Sequence, residues 1–162
     1  MTKEEKYILL VKQCRALLEG ESDEVARMAN VAALIHETMG FWWTGFYRVQ
    51  GEELVLGPFQ GPVACSRIAF GRGVCGTAWK EGRTVIVPDV EQFPGHIACS
   101  SASRSEIVVP VFTPSPSNKA HTSSASSPSS TVVAVLDIDS RDLAAFDDTD
   151  RVYLEQIADN LF

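Results

Sequence analysis

Apolar residues in the first 40 positions recur every three to four residues, which is the spacing of one face of an α-helix. The first series consists of Tyr7, Leu10, Val11, Cys14, Leu17 and Leu18. Gly20 ends this series, and Ser22 is the predicted N-cap of a second helix. The second series consists of Val25, Met28, Ala29, Ala32, Ala33 and Ile35. The pattern therefore predicts two amphipathic helices before Gly40.

From residue 42 onward, short apolar runs separated by turn residues indicate β-strands. The predicted strands cover residues 42–49, 53–56, 67–70, 84–87, 106–112 and 131–138. A glycine-rich turn at 71–73 opens a short helix that ends at Lys80, and an acidic first turn opens a last helix over 147–161. Helices at both ends and short connections predict an α+β fold, a mainly antiparallel central sheet of about six strands with helices packed on it.

Residues 113–130 form a Ser/Pro-rich tract between the last two predicted strands. Such a composition cannot bury enough apolar surface to order itself. The flanking strands can still pair, because the entropy of closing a loop grows slowly with its length. We therefore predict one domain over 1–162 with a disordered hairpin insertion at 113–130.

Composition narrows the classes of partner. The chain has 162 residues, a formal net charge of −7 and 45% hydrophobic residues. The negative charge disfavours nucleic acid and anionic membranes, and no apolar run reaches the roughly 20 residues of a membrane span. The first residues lack the apolar segment of a signal peptide. We expect a cytoplasmic protein whose thiols are kept reduced.

Three cysteines, Cys65, Cys75 and Cys99, lie in one 35-residue stretch, each beside Gly or Ala. In a reducing compartment, grouped cysteines are more often catalytic or metal-bound than structural. Nine and 23 residues separate them, and no Cys-x2-Cys pair is present, so we predict no metal. Cys14 falls on the first apolar helix face and is predicted to be a core residue.

Three acids stand among apolar strand residues, where a carboxylate is costly to bury. They are Glu106, Asp137 and Asp139. An Asp-x-Asp pair on a strand places both side chains on one face. Crowded carboxylates repel each other, so at least one should hold a proton near neutral pH. Thiols together with inward-pointing acids predict redox chemistry on a small cationic or amphoteric substrate.

Six motifs then point to a family. They are Gly-Phe-Tyr (45–47), Leu-Gly-Pro-Phe-Gln-Gly (56–61), Gly-Arg-Gly-Val-Cys-Gly-Thr-Ala (71–78), Gly-His-Ile-Ala-Cys (95–99), Ser-Glu-Ile-Val-Val-Pro (105–110) and Leu-Asp-Ile-Asp (136–139). In this order they closely resemble free methionine-(R)-sulfoxide reductases, stand-alone GAF-domain enzymes that reduce the free amino acid and not the peptide-bound residue. The resemblance runs through nearly the whole chain and is interrupted mainly by the Ser/Pro tract.

The resemblance implies a single GAF domain, a reaction that uses thiols without a cofactor, and roles for each cysteine. Cys99 matches the nucleophile, Cys65 matches the cysteine that forms the resolving disulfide, and Cys75 matches a third thiol with a variable role in recycling. Thioredoxin is the implied reductant, and the family is often dimeric. Ser100 stands where the family usually has Asp next to the nucleophile.

The resemblance also implies a substrate pocket formed by Trp43, Tyr47 and the three acids. Without the resemblance, the two aromatic residues would be interpreted as strand core. Two non-catalytic alternatives stay open at this point. One is a GAF module that senses a small ligand, and the other is a thiol sensor that reports oxidation. Catalytic turnover of a sulfoxide separates the enzyme from both.

Overall fold

The computed structural model describes residues 1–96, 102–114 and 131–162, which fold around one antiparallel sheet. Within these residues the helices are α1 (Lys3–Leu18), α2 (Glu24–Met39), α3 (Gly73–Glu81) and α4 (Asp148–Asp159). The strands are β1 (Trp43–Gln50), β2 (Glu53–Gln60), β3 (Arg67–Ala69), β4 (Val85–Val87), β5 (Ser105–Phe112) and β6 (Val132–Ser140). Their order is β3-β2-β1-β6-β5-β4, with every neighbouring pair antiparallel. The predicted α+β class and the six strands are confirmed.

The predicted N-cap of α2 is wrong. The N-cap of α2 is Asp23, not Ser22, because the Asp23 carboxylate accepts a hydrogen bond of 2.9 Å from the Ala26 N–H. Asp and Ser are comparable N-caps, so residue preference alone does not decide between Ser22 and the adjacent Asp23. Gly40 ends α2 with a positive φ of 71°, as its position predicted.

Strand β2 is longer than its sequence suggested. Gly57 and Pro58 were predicted to end it, yet the strand continues to Gln60. The pairing with β1 shifts between Gly45 and Tyr47, so that two residues of β2 lie opposite one residue of β1. This irregularity admits a proline, which has no N–H to donate to the ladder.

The two faces of the sheet have different coverings. Alternate residues of the central strands pack under α1, α2 and α4, and we call this side the helix-covered face. Its buried apolar strand residues are Phe46, Ile107, Val109, Val111, Ala134, Leu136 and Ile138. The intervening residues pack against the short helix α3, and we call this side the α3 face; its apolar strand residues include Trp43, Tyr47, Val108 and Val135. Both faces therefore have an apolar core of their own.

The described residues on either side of the predicted insertion meet where β5 ends and β6 begins. The Thr113 N–H donates a hydrogen bond of 2.8 Å to the Thr131 carbonyl. Residues 115–130 lie outside the described residues, so their disorder stays a prediction. None of the helices in the described part of the chain is long and apolar enough to cross a membrane.

Candidate active site

A cavity opens on the α3 face and collects most of the predicted site residues. Those that line it are Trp43, Tyr47, Cys75, Glu106, Asp137 and Asp139. They come from β1, α3, β5 and β6, four elements that are distant in sequence. Arg72, His96 and Ser103 also line the cavity. The sheet register explains the convergence of these side chains.

In that register, one row of residues crosses three strands. Asp139 on β6 lies opposite Trp43 on β1 and opposite Glu106 on β5. Asp137 lies two residues away on β6, opposite Gly45. Because side chains alternate along a strand, all of these positions point to the α3 face. The Asp-x-Asp spacing predicted this shared face.

Asp139 is the hydrogen-bond acceptor at the centre of the acids. The Ser103 hydroxyl donates to its Oδ1 over 2.9 Å. Burial raises the pKa of Asp139 to about 6, against the opposing effect of hydrogen bonds donated by Glu106, Ser103 and Asp137. Three donors around one carboxylate stabilise its ionised form. Asp139 is therefore the member of the cluster that carries the negative charge near neutral pH.

Glu106 and Asp137 are the members that hold protons. Each is only 6% exposed. Burial first, and then the negative charge of neighbouring acids, raises the pKa of both carboxyls well above their ordinary values. Within the described residues, Asp137 Oδ1 is buried without a hydrogen-bond partner. The cluster thus presents one negative charge on Asp139, protons on Glu106 and Asp137, and one acceptor oxygen, Asp137 Oδ1, without a partner among the described residues.

Cys75 completes the cluster from α3. Its thiol is hydrogen-bonded to Asp137, and burial followed by the charges of the three acids raises its pKa well above the ordinary value. Thiolates, not thiols, are the nucleophiles in this chemistry. Cys75 is therefore a protonated side chain in this environment and a poor attacking group.

Cys75, Glu106 and Asp137 also form a candidate cation site. Cys75 Sγ and one oxygen each of Glu106 and Asp137 lie within 4.8 Å of one another. A thiolate and two carboxylates can bind a divalent cation such as zinc. The spacing of the cysteines along the chain could not reveal this set, since two of its members are acids. That the site holds no metal stays a prediction.

Trp43 is fixed between two other rings. It stacks on Phe59 at 5.3 Å and on Tyr47 at 6.0 Å between ring centroids. Gly45 makes room for it, because a Cβ there would lie 2.6 Å from the indole. Its Nε1 donates a hydrogen bond of 2.9 Å to the Pro62 carbonyl. The aromatic wall of the cavity is thus rigid and partly polar.

The cysteines divide into distinct environments. Cys14, on α1, is buried in the core of the helix-covered face, as predicted, and burial raises its pKa to about 11. Cys65 is half-buried and disulfide-bonded, whereas Cys14 and Cys75 are free thiols. Ala64, the neighbour of Cys65, lines the cavity. Cys99, the predicted nucleophile, lies outside the described residues, so its role stays a prediction.

Three features of the site were not anticipated. Ser103 lies in a stretch interpreted only as a loop, and nothing in the sequence marked it as a donor to Asp139. Arg72 also lines the cavity, and no role was predicted for it. Gly45 stands in the Gly-Phe-Tyr motif, and a glycine inside a strand is a recognisable sign of close approach.

Comparisons with known proteins identify the family of this chain. The GAF domain family profile matches residues 23–161. GAF domain-containing protein A of Dictyostelium discoideum is 51% identical over 96% of this chain and 90% of that protein. Free methionine-R-sulfoxide reductase of Escherichia coli (strain K12) is 41% identical over 99% of this chain and 89% of that protein.

Among solved structures, the Neisseria meningitidis free methionine-R-sulfoxide reductase in complex with its substrate is similar, with a TM-score of 0.88. It is 47% identical and covers 99% of this chain and 89% of that one. The chain therefore belongs to the GAF domain family and, within it, to the free methionine-R-sulfoxide reductase family.

Proposed function

We propose that this protein reduces free L-methionine-(R)-sulfoxide to L-methionine, with electrons from a dithiol such as thioredoxin. The relatives named for this activity support the proposal. The observation that carries it is the acid cluster, in which an ionised Asp139 accepts hydrogen bonds from two carboxyls that keep their protons. A sulfoxide reductase that acts on a free amino acid needs both a negative charge and a proton donor.

The negative charge suits the α-ammonium group of the substrate. A hydrogen bond between an ammonium and a carboxylate is strengthened by the opposite charges. A methionine sulfoxide inside a peptide has an uncharged amide in place of that ammonium, so it would lose this contact. Trp43 would pack against the methyl and sulfur end of the substrate with Tyr47 beside it, because their stacked rings line the cavity next to the acids.

The protons suit the sulfoxide oxygen. A sulfoxide sulfur becomes electrophilic when its oxygen takes a proton, which Glu106 or Asp137 can supply. The Cys99 thiolate then attacks the sulfur, the S–O bond of the sulfoxide breaks, and the oxygen is transferred to Cys99 as a sulfenic acid while methionine leaves with its sulfur reduced. The Cys65 thiol attacks that sulfur, water leaves, and a disulfide joins Cys65 to Cys99. The external dithiol reduces this disulfide and completes the cycle.

The disulfide-bonded state of Cys65 supports its part in this cycle. The buried, protonated state of Cys75 supports assigning the attack to another cysteine. Thioredoxin as the reductant and a cytoplasmic location follow from the need for a reducing dithiol pool. The predicted homodimer is an expectation from the family alone.

Turnover with defined substrates tests the proposal. Reduced protein is supplied with a thioredoxin system and with free L-methionine-(R)-sulfoxide, the free S epimer, or a peptide containing methionine-(R)-sulfoxide. We expect methionine release from the free R epimer, with at least a hundredfold preference over the other two. Folded, reduced protein that releases no methionine from any of them would overturn the proposal in favour of a ligand-sensing GAF module.

Single-turnover release of methionine tests the cysteine roles. Cys99→Ser should abolish release, and Cys65→Ser should release about one methionine per enzyme but turn over poorly with thioredoxin. Cys14→Ser is the matched control, since its thiol lies in the other core. Full release by Cys99→Ser would refute the assignment of the nucleophile.

A further inference from the structure

The Tyr47 hydroxyl and the Trp43 indole N–H, both in the cavity wall, donate hydrogen bonds to the chain segment that carries Cys65. The Tyr47 hydroxyl donates a hydrogen bond of 2.9 Å to the Cys65 carbonyl. The Trp43 Nε1–H donates one of 2.9 Å to the Pro62 carbonyl. Residues 61–66 form the irregular connection between β2 and β3, and we call them the Cys65 segment. Two residues of β1 thus hold this segment at two points.

The packing at the start of the Cys65 segment leaves little freedom for it to shift. Gly61 has a φ of 124°, and a Cβ there would lie 2.8 Å from the Trp43 ring and 2.9 Å from the Trp42 carbonyl. At its end, the Leu56 N–H donates a hydrogen bond of 3.0 Å to the Ser66 carbonyl. The middle is open to solvent, with Val63 88% exposed. The two ring donors therefore tie down the part of the segment that solvent exposure would otherwise leave mobile.

The Tyr47 hydroxyl is a durable donor. Tyr47 is 2% exposed, and its ring stacks on Trp43 and lines the same cavity as the acids. Burial, followed by the charges of Asp137 and its neighbours, raises the pKa of Tyr47. The phenol therefore keeps its proton at any pH at which the acids operate. Since that hydrogen bond goes to the Cys65 carbonyl, a direct contact of the hydroxyl with the substrate is not required to explain the residue.

We propose that Tyr47, assisted by Trp43, is a positioning residue for Cys65 and holds its thiol where it captures the oxidised Cys99. This inference rests on the proposed function. In the step concerned, the Cys65 thiolate attacks the sulfur of the Cys99 sulfenic acid. The S–S bond forms, the S–O bond breaks, and the oxygen takes a proton and leaves as water. A fixed Cys65 segment raises the effective concentration of the Cys65 thiolate at the Cys99 sulfenic acid.

Tyr47→Phe tests the inference, because it removes the hydroxyl and keeps the ring. Tyr153→Phe is the matched control, since its hydroxyl donates to Glu4 on the opposite side of the molecule. The first readout is the equilibrium between the dithiol and the disulfide in glutathione buffers, which needs no sulfoxide. We expect Tyr47→Phe to lower the equilibrium constant for disulfide formation about tenfold, which is about 30 mV for a two-electron couple.

The second readout compares two rates after mixing with free L-methionine-(R)-sulfoxide. Tyr47→Phe should slow disulfide formation at least fivefold more than it slows methionine release. Trp43→Phe, which removes the donor to Pro62, should likewise slow disulfide formation more than methionine release. An unchanged equilibrium constant in Tyr47→Phe, or equal effects on both rates, would overturn the inference. Wild-type protein that forms the disulfide but releases no methionine would instead count against the proposed function.

Discussion

The two faces of the sheet are built from the same strands, but one face forms an apolar core and the other carries the candidate active site. On β6, Leu136 and Ile138 point into the apolar core of the helix-covered face. Asp137 and Asp139 alternate with them and point into the cavity on the α3 face. A strand can therefore deliver carboxyls to one side without disturbing the core on the other, because successive side chains face opposite ways.

Two buried acids, Asp150 and Asp137, differ in whether a nearby cation compensates their charge. Asp150 on α4 is fully buried, and it is bonded to the Lys3 ammonium and to the Tyr7 hydroxyl. Asp137 is almost as buried, but the ion pairs among the described residues include none with it. A buried acid with a cation nearby has its charge compensated, whereas one among other acids costs stability. The compensated acid joins helices, and the uncompensated ones form the site.

The largest predicted effect concerns proton donation on the α3 face. Glu106→Gln keeps the shape of the side chain and removes its acidic proton, so single-turnover methionine release should fall about 10²- to 10³-fold. Glu53→Gln is the control, because Glu53 forms an exposed ion pair with Arg67; its rate should stay within about twofold. A Glu106→Gln protein that releases methionine at the wild-type rate would remove Glu106 from the proposed mechanism.

A smaller effect should appear in stability as a function of pH. Because the folded state raises the pKa of Asp139 to about 6, it binds this proton more tightly than the unfolded chain. The contribution of Asp139 to the free energy of unfolding should therefore fall as pH rises from about 4 to about 6, by about 1–3 kcal/mol. Urea unfolding of wild type and Asp139→Asn at both pH values measures the difference.

Asp148→Asn provides a control of opposite sign for that experiment. Arg151 lowers the pKa of the exposed Asp148 by a hydrogen bond and by its charge. Its contribution to stability is therefore present above its ordinary pKa and lost as pH falls. If Asp139→Asn and wild type showed the same pH dependence, the raised pKa of Asp139 would be contradicted.

The smallest predicted effect is that of removing metal. In the proposed reaction the acids bind the substrate and donate protons, so dialysis against a chelator should change kcat/KM by less than about twofold. Loss of activity that is restored by zinc would contradict this expectation. It would assign the set formed by Cys75, Glu106 and Asp137 to a cation.

Much of the fold could be predicted because it follows from periodicity. The spacing of apolar residues located the helices and six strands, and the Asp-x-Asp motif placed two acids on one wall. The length of β2 was missed, because Gly57 and Pro58 look like a strand end unless the bulge is known. The proton distribution among the acids and the Ser103 contact depend on three-dimensional proximity, which no local pattern encodes.

The most direct test of the account measures stability and activity together for Asp137→Asn and Leu136→Ala, neighbours that point to opposite faces. We predict that Asp137→Asn raises the free energy of unfolding at pH 8 by about 1 kcal/mol or more while methionine release falls at least tenfold. Leu136→Ala should lower that free energy by about 2–5 kcal/mol and leave release per folded molecule within about threefold. An Asp137→Asn protein that is less stable than wild type, with release unchanged, would contradict the account.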